Sequence, residues 1–158
     1  MSRLVVSDAS PLNYLVLINA VDVLPRLFSK FLIPPAVAAE LSSEDAPSVV
    51  LGFANTPPPW LEVLAPTHVN YSLGLDPGET EAIALALELG IKPILIDERK
   101  GRRIATQLGL LNVGTSSILE RSAVAGWLDF EAKIQQLRET NFRIDEKLVA
   151  EAQHRLGL

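Results

Sequence analysis

Two short apolar runs constrain this chain more than any other feature: "LVVSD" at residues 4–8 and "PILID" at residues 93–97. Each is apolar on both alternating sets of positions, as in a strand covered on both faces, and strands of that kind belong to parallel sheets flanked by helices. Each run also ends on an aspartate. Ligands bind outside the carboxyl ends of the strands in open parallel sheets, near the point where strand order reverses. Asp8 and Asp97 are therefore expected on one edge of one sheet, where a carboxylate is either a helix-start signal or part of an active site.

Further strand-like runs lie at Phe31–Ile33, Leu61–Leu64 and Leu111–Val113, with Leu4–Ser7 and Pro93–Ile96 as the two already named, and helical patterns fill most of the intervals. The alternation predicts an α/β fold with a mainly parallel central sheet flanked by helices. Ser10-Pro11, Pro34-Pro35 and Asp76-Pro77 each place a capping or turn residue before a proline suited to a first helical turn. "NTPPPW" reads as a loop, and Ala65–Asn70 reads as a short strand or an irregular stretch. With 158 residues the chain fits a single domain, 1–158, whose segment 129–158 reads as a helical C-terminal cap of one or two helices broken at "NF".

The chain has no cysteine, which removes disulfides, thiolate metal sites and thiol nucleophiles and suits a reducing cytoplasm. No apolar run is long enough for a membrane span and no leader pattern opens the sequence, so a cytoplasmic protein is expected. A net charge of −5 argues against adhesion to nucleic acid through overall charge, leaving local clusters to make any phosphate contact. Hydrophobic residues make up 48% of the chain, and "VDVLPRLF" and "PSVVLGFAN" are apolar enough to predict an interface, unless they close a large core.

Other acids can join the two strand-end aspartates. Glu40 lies in the helix opened by "PPAVAAEL", and Glu79 and Glu81 lie in the first turns of "DPGETEAIALALELG". Several carboxylates with few cations among them suit a hard divalent ion such as Mg²⁺ or Mn²⁺, which activates water and neutralises phosphodiester charge. Each acid also has a plainer reading. Asp8 and Asp97 can be turn or cap residues, Glu40 a solvated helix residue, and Glu79 the partner of Asp76 in a capping box. Glu79 shares the apolar stripe of Ala82, Ile83 and Ala86, whereas Glu81 lies roughly 200° round the helix. Arg99, Lys100, Arg102 and Arg103 form a basic run directly after Asp97, either a solvated helical turn or a set of phosphate contacts. Ser10, Thr115 and Ser116 place hydroxyls at strand-to-helix turns, as caps or as RNA contacts. The two histidines have no spaced metal-ligand partner, and Trp60 and Trp127 are expected to pack.

Taken in order, "LVVSDASPLNYL", "LIPPAVAAEL", "DPGETEAIALALELG", "ILIDERKGRRIATQLGL" and "NVGTSSILERSAVAGWL" resemble the PIN-domain ribonucleases, most closely the prokaryotic toxin-like branch with an "SDASPL" opening and a "GExEA" helix. The resemblance implies a three-layer fold similar to 5′-nucleases and an acidic site that hydrolyses RNA with one or two Mg²⁺ or Mn²⁺ ions. It also implies a homodimer held in check by a small antitoxin protein. Carried over residue by residue, it places the acids on Asp8, Glu40, Glu79 and Asp97, the third by counting back from the helix end "ALELG". The family's usual third acid is aspartate, whereas this chain has glutamates at 79 and 81. Some members carry a further acid in the region of Thr115 and Ser116, where this chain has none. Three functions follow as expectations: a metal-dependent endoribonuclease acting as the toxin of a toxin–antitoxin pair, a non-catalytic PIN-like RNA- or protein-binding domain, and a phosphotransfer domain. The last needs a clustered acid pair and a strand-end lysine that the sequence lacks.

Overall fold

A computed structural model describes residues 3–158. Its centre is a five-stranded sheet in the order β3-β2-β1-β4-β5, with β1 Leu4–Ser7, β2 Lys30–Ile33, β3 Leu61–Val63, β4 Pro93–Leu95 and β5 Leu111–Val113. Every pairing is parallel. All five strands lie within a residue of their expected bounds, because short runs between turn residues leave little choice of register.

Strand alternation divides the interior into two layers. Val5, Phe31, Ile33, Leu95 and Val113 face one core, built with the helices α1 (Ala9–Leu17), α3 (Pro35–Leu41), α4 (Ser48–Asn55) and α7 (Thr115–Val124). Val6, Leu32, Ile94 and Ile96 face the other, against α5 (Pro77–Leu89) and α6 (Arg99–Gln107). A short helix α2 (Leu24–Leu27) precedes β2. The result is the expected three-layer α/β arrangement.

The segment 129–158 forms two helices, α8 (Phe130–Arg138) and α9 (Glu146–Arg155). Phe130, Ile134, Leu137, Val149 and Ala152 are buried in the first core, so these helices complete the interior. The apolar segments expected at an interface serve the core as well. Val23, Leu24, Phe28 and Val50 are buried, and Val49 is the large apolar side chain there that stays exposed. Trp60 packs edge-on to Phe31 at 5.7 Å, and Trp127 lies 5.1 Å beneath the Arg26 guanidinium, so both tryptophans pack as expected.

Two helix starts are as expected: Pro35 opens α3, and Asp76 with Glu79 forms a complete capping box at α5. The third differs. Helix α1 begins at Ala9, one residue before Ser10, with Asp8 in the N-cap position. Residues 65–70 add no strand and lead into a 3₁₀ turn at Tyr71–Leu73.

The sheet order reverses between β1 and β4, which makes that boundary the switch point. The ladder continues past β1, since Asp8 N–H donates to Leu95 C=O at 2.9 Å. Asp8 and Asp97 thus leave the sheet side by side.

Candidate active site

An open cleft of about 1350 Å³ lies over the carboxyl ends of β1 and β4. Asp8, Glu40, Asp76, Glu79 and Asp97 all line it, brought together from two strand ends and the first turns or body of two helices. Four of these were expected from sequence. Asp76 is the addition.

Asp8 is 5% exposed and stands at the N-cap of α1 without a side-chain capping bond, so its carboxylate is not consumed by the helix it precedes. Its Oδ1 is buried with no hydrogen-bond partner. Burial pushes the carboxyl up to about 7; the Ala9 N–H opposes this, and the charges of Asp76, Glu40 and Asp97 add to it. Glu79 is 4% exposed. Its Oε1 accepts weakly from Asp76 N–H at 3.4 Å, while Glu79 N–H donates to Asp76 Oδ1 at 2.8 Å. Glu79 Oε2 is the second buried oxygen without a partner. Burial, then the charges of Asp76 and Asp8, push this carboxyl up to about 8. The capping box and the acidic site therefore share one glutamate: one oxygen faces the cap and the other lies against Gly101 with no polar partner.

Asp97 is held differently. Its Oδ1 accepts from Thr115 N–H at 2.8 Å, and its Oδ2 accepts from Thr115 Oγ1 at 2.7 Å and Ser10 Oγ at 3.1 Å. Burial raises its carboxyl, and these bonds together with the Arg102 charge pull against that. Glu40 is also raised, first by partial desolvation and then by Asp76.

Three glycines make the crowding possible. A Cβ on Gly78 would sit 3.0 Å from Asp8 Oδ1 and 3.3 Å from Glu40 Oε1, which places both oxygens around one point beside the start of α5. A Cβ on Gly101 would run into Glu79 Oε2 and come within 2.7 Å of Ile96 Cδ1, and one on Gly114 would lie 3.3 Å from Asp97 Oδ1. The acids meet the N-terminal turns of α1, α5, α6 and α7, where the helix dipole favours negative charge.

The remaining expected residues divide. Ser10, Arg99, Arg102, Arg103, Thr115 and Ser116 line the cleft. Glu81 does not; it accepts from Ala36 N–H at 3.0 Å and so ties α5 to the start of α3. That follows from its angular offset from Glu79. Lys100 also lies outside the lining, its ammonium donating to Gly74 C=O at 2.9 Å. Residues 141–146 of the C-terminal segment form part of the cleft wall, a contact between distant parts of the chain that no local pattern signals.

The donor set is all oxygen, and two of the oxygens are buried without partners, which is the chemistry a hard divalent cation fits. Among the described residues, as the side chains stand, no three acids or histidines are grouped closely enough to hold one ion.

A family model described as a PIN domain matches residues 4–158. No curated protein and no solved structure matches the chain.

Proposed function

The chain belongs to the PIN-domain family, whose fold is of the nuclease type, and from that premise we propose that it is a metal-dependent endoribonuclease and the toxin of a toxin–antitoxin pair. The observation that carries the reading is the convergence of five acids on the sheet switch point, two of them with buried oxygens lacking any partner. A site with that much unpaired carboxylate is costly for folding alone and suits one that binds a cation.

Asp8, Glu40, Glu79 and Asp97 would hold Mg²⁺ or Mn²⁺, with Asp76 beside them. The ion when bound would supply activation of water and neutralisation of phosphodiester charge. The chain's own residues do the rest. Thr115 and Ser10 fix the Asp97 carboxylate through three hydrogen bonds. Asp8 and Glu79, whose carboxyls are raised in the metal-free site, would give up their protons when the ion binds. Arg99, Arg102 and Arg103 on α6 line the same cleft and position the phosphate. Among the described residues no helix is long and apolar enough to cross a membrane. The reading includes a cytoplasmic homodimer that an antitoxin restrains by aiming a cation into the acidic cleft.

Cleavage of single-stranded RNA with added Mg²⁺ or Mn²⁺ tests the reading. Wild type should cleave, and Asp8→Asn and Asp97→Asn should lose cleavage while staying folded. RNA bound by wild type but never cut would favour a non-catalytic PIN-like domain. Light scattering at twice 17.2 kDa tests the homodimer.

A further inference from the structure

Helix α1 carries the cleft from the acids to the C-terminal segment. Ser10 Oγ donates to Asp97 at 3.1 Å, and Tyr14, four residues on and so on the same helix face, donates its hydroxyl to Asn141 Oδ1 at 2.7 Å. The Tyr14 ring also meets Phe142 edge-on at 4.9 Å. Residues 141 and 142 are thereby pinned about one helical turn, roughly 6 Å along α1, from the serine that touches Asp97. Arg143 follows immediately, is exposed and lines the cleft.

The other arginines of the C-terminal segment are committed elsewhere. Arg138 pairs with Glu146, and Arg155 makes two bonds to Glu120, at 2.6 and 2.8 Å. The acids that follow Arg143 in sequence are committed too: Asp145 caps α9 by accepting from Lys147 and Leu148 N–H, and Glu146 holds Arg138. Among the described residues Arg143 has no ion-pair partner. A guanidinium held at the rim of an acidic cleft with its neighbouring acids already engaged is free for a ligand anion.

We propose that Arg143 is a positioning residue that binds a backbone phosphate of the RNA next to the scissile one, so that the strand runs from the arginines of α6 across the acids to the C-terminal segment. The proposal rests on the nuclease reading for its choice of ligand. A planar fork of donors matches a phosphate, and the displacement along α1 keeps Arg143 off the reacting atoms.

The test measures binding of a single-stranded RNA of about ten nucleotides to Asp8→Asn, with and without Arg143→Ala or Arg143→Lys, across a salt series. Arg143→Ala should weaken binding about fivefold at low salt, and the slope of log affinity on log salt should become shallower by about 0.7, the value for one phosphate on a single strand. Arg143→Lys should restore the slope, since the charge is kept. In otherwise wild-type protein Arg143→Ala should raise KM and leave kcat unchanged. An unaltered slope and affinity in Arg143→Ala, or no RNA binding by Asp8→Asn itself, overturns the proposal. Cleavage by wild type reports separately on the nuclease reading, so Arg143-dependent binding by a protein that never cuts RNA would sink that reading and keep Arg143 as a contact to an RNA backbone phosphate.

Discussion

Thr115 grips Asp97 with both of its donors, the backbone N–H at 2.8 Å on one carboxylate oxygen and the hydroxyl at 2.7 Å on the other. Thr115 is fully buried, so neither bond competes with bulk water. Thr115→Val keeps the shape and the N–H but takes away the hydroxyl. The cost should be about 1–3 kcal/mol in urea unfolding, the range for leaving a buried acceptor short of a partner. Thr115→Ser retains both donors and should stay within about 1 kcal/mol of wild type. Equal stability of the valine and serine variants would show that the hydroxyl bond contributes nothing.

Gly101 and Glu79 make a second pair with a measurable consequence. Replacing a glycine inside a helix by alanine normally stabilises it by about 1 kcal/mol. At Gly101 the sign should reverse, because the new Cβ meets Glu79 Oε2 and lies 2.7 Å from Ile96 Cδ1. Overpacking of this kind costs about 1–3 kcal/mol. Part of the loss should vanish in Gly101→Ala combined with Glu79→Ala, and a double-mutant cycle reads that coupling. Additive effects would mean that Glu79 is not what the Cβ strikes.

The sequence declared the sheet and its two aspartates because both follow from local pattern: a doubly covered strand is a continuous apolar run, and a polar residue at its end is conspicuous. Glu79 was legible through its place on the apolar stripe of α5. Asp76 was legible only as a cap, although a capping box with Glu79 necessarily sets two carboxylates side by side, and a site glutamate at 79 therefore implies an acid at 76. Glu81 and Lys100 share composition and neighbourhood with site residues, but their partners, Ala36 and Gly74, are set by how α5 meets α3 and how α6 meets the turn before α5. The contribution of residues 141–146 depends on Tyr14 meeting Asn141, a pairing between chain segments far apart in sequence.

The raised carboxyls of Asp8 and Glu79 give the metal-free protein a distinct pH dependence. Both groups bind protons more tightly folded than unfolded, where they return to 3.8 and 4.5. Their contribution to stability is therefore fully present below those unfolded values and is lost as pH rises through about 7 for Asp8 and about 8 for Glu79. Between its unfolded and folded values Asp8 contributes a decline of about 1.4 kcal/mol per pH unit, before other charges are counted, and Glu79 adds a decline of the same sign. Asp8→Asn should flatten the measured decline by one proton across that window and should leave the protein more stable than wild type at pH above 8, because a neutral amide replaces a buried charge with like-charged neighbours. A divalent cation should act in the opposite sense. It binds the ionised carboxylates, so Mg²⁺ or Mn²⁺ should raise the wild-type Tm more on the alkaline side of this window than on the acid side, and should do so much less in Asp8→Asn. Urea unfolding and thermal melts across the pH range check both halves, and wild type and Asp8→Asn with parallel profiles would show that Asp8 does not titrate in the folded site.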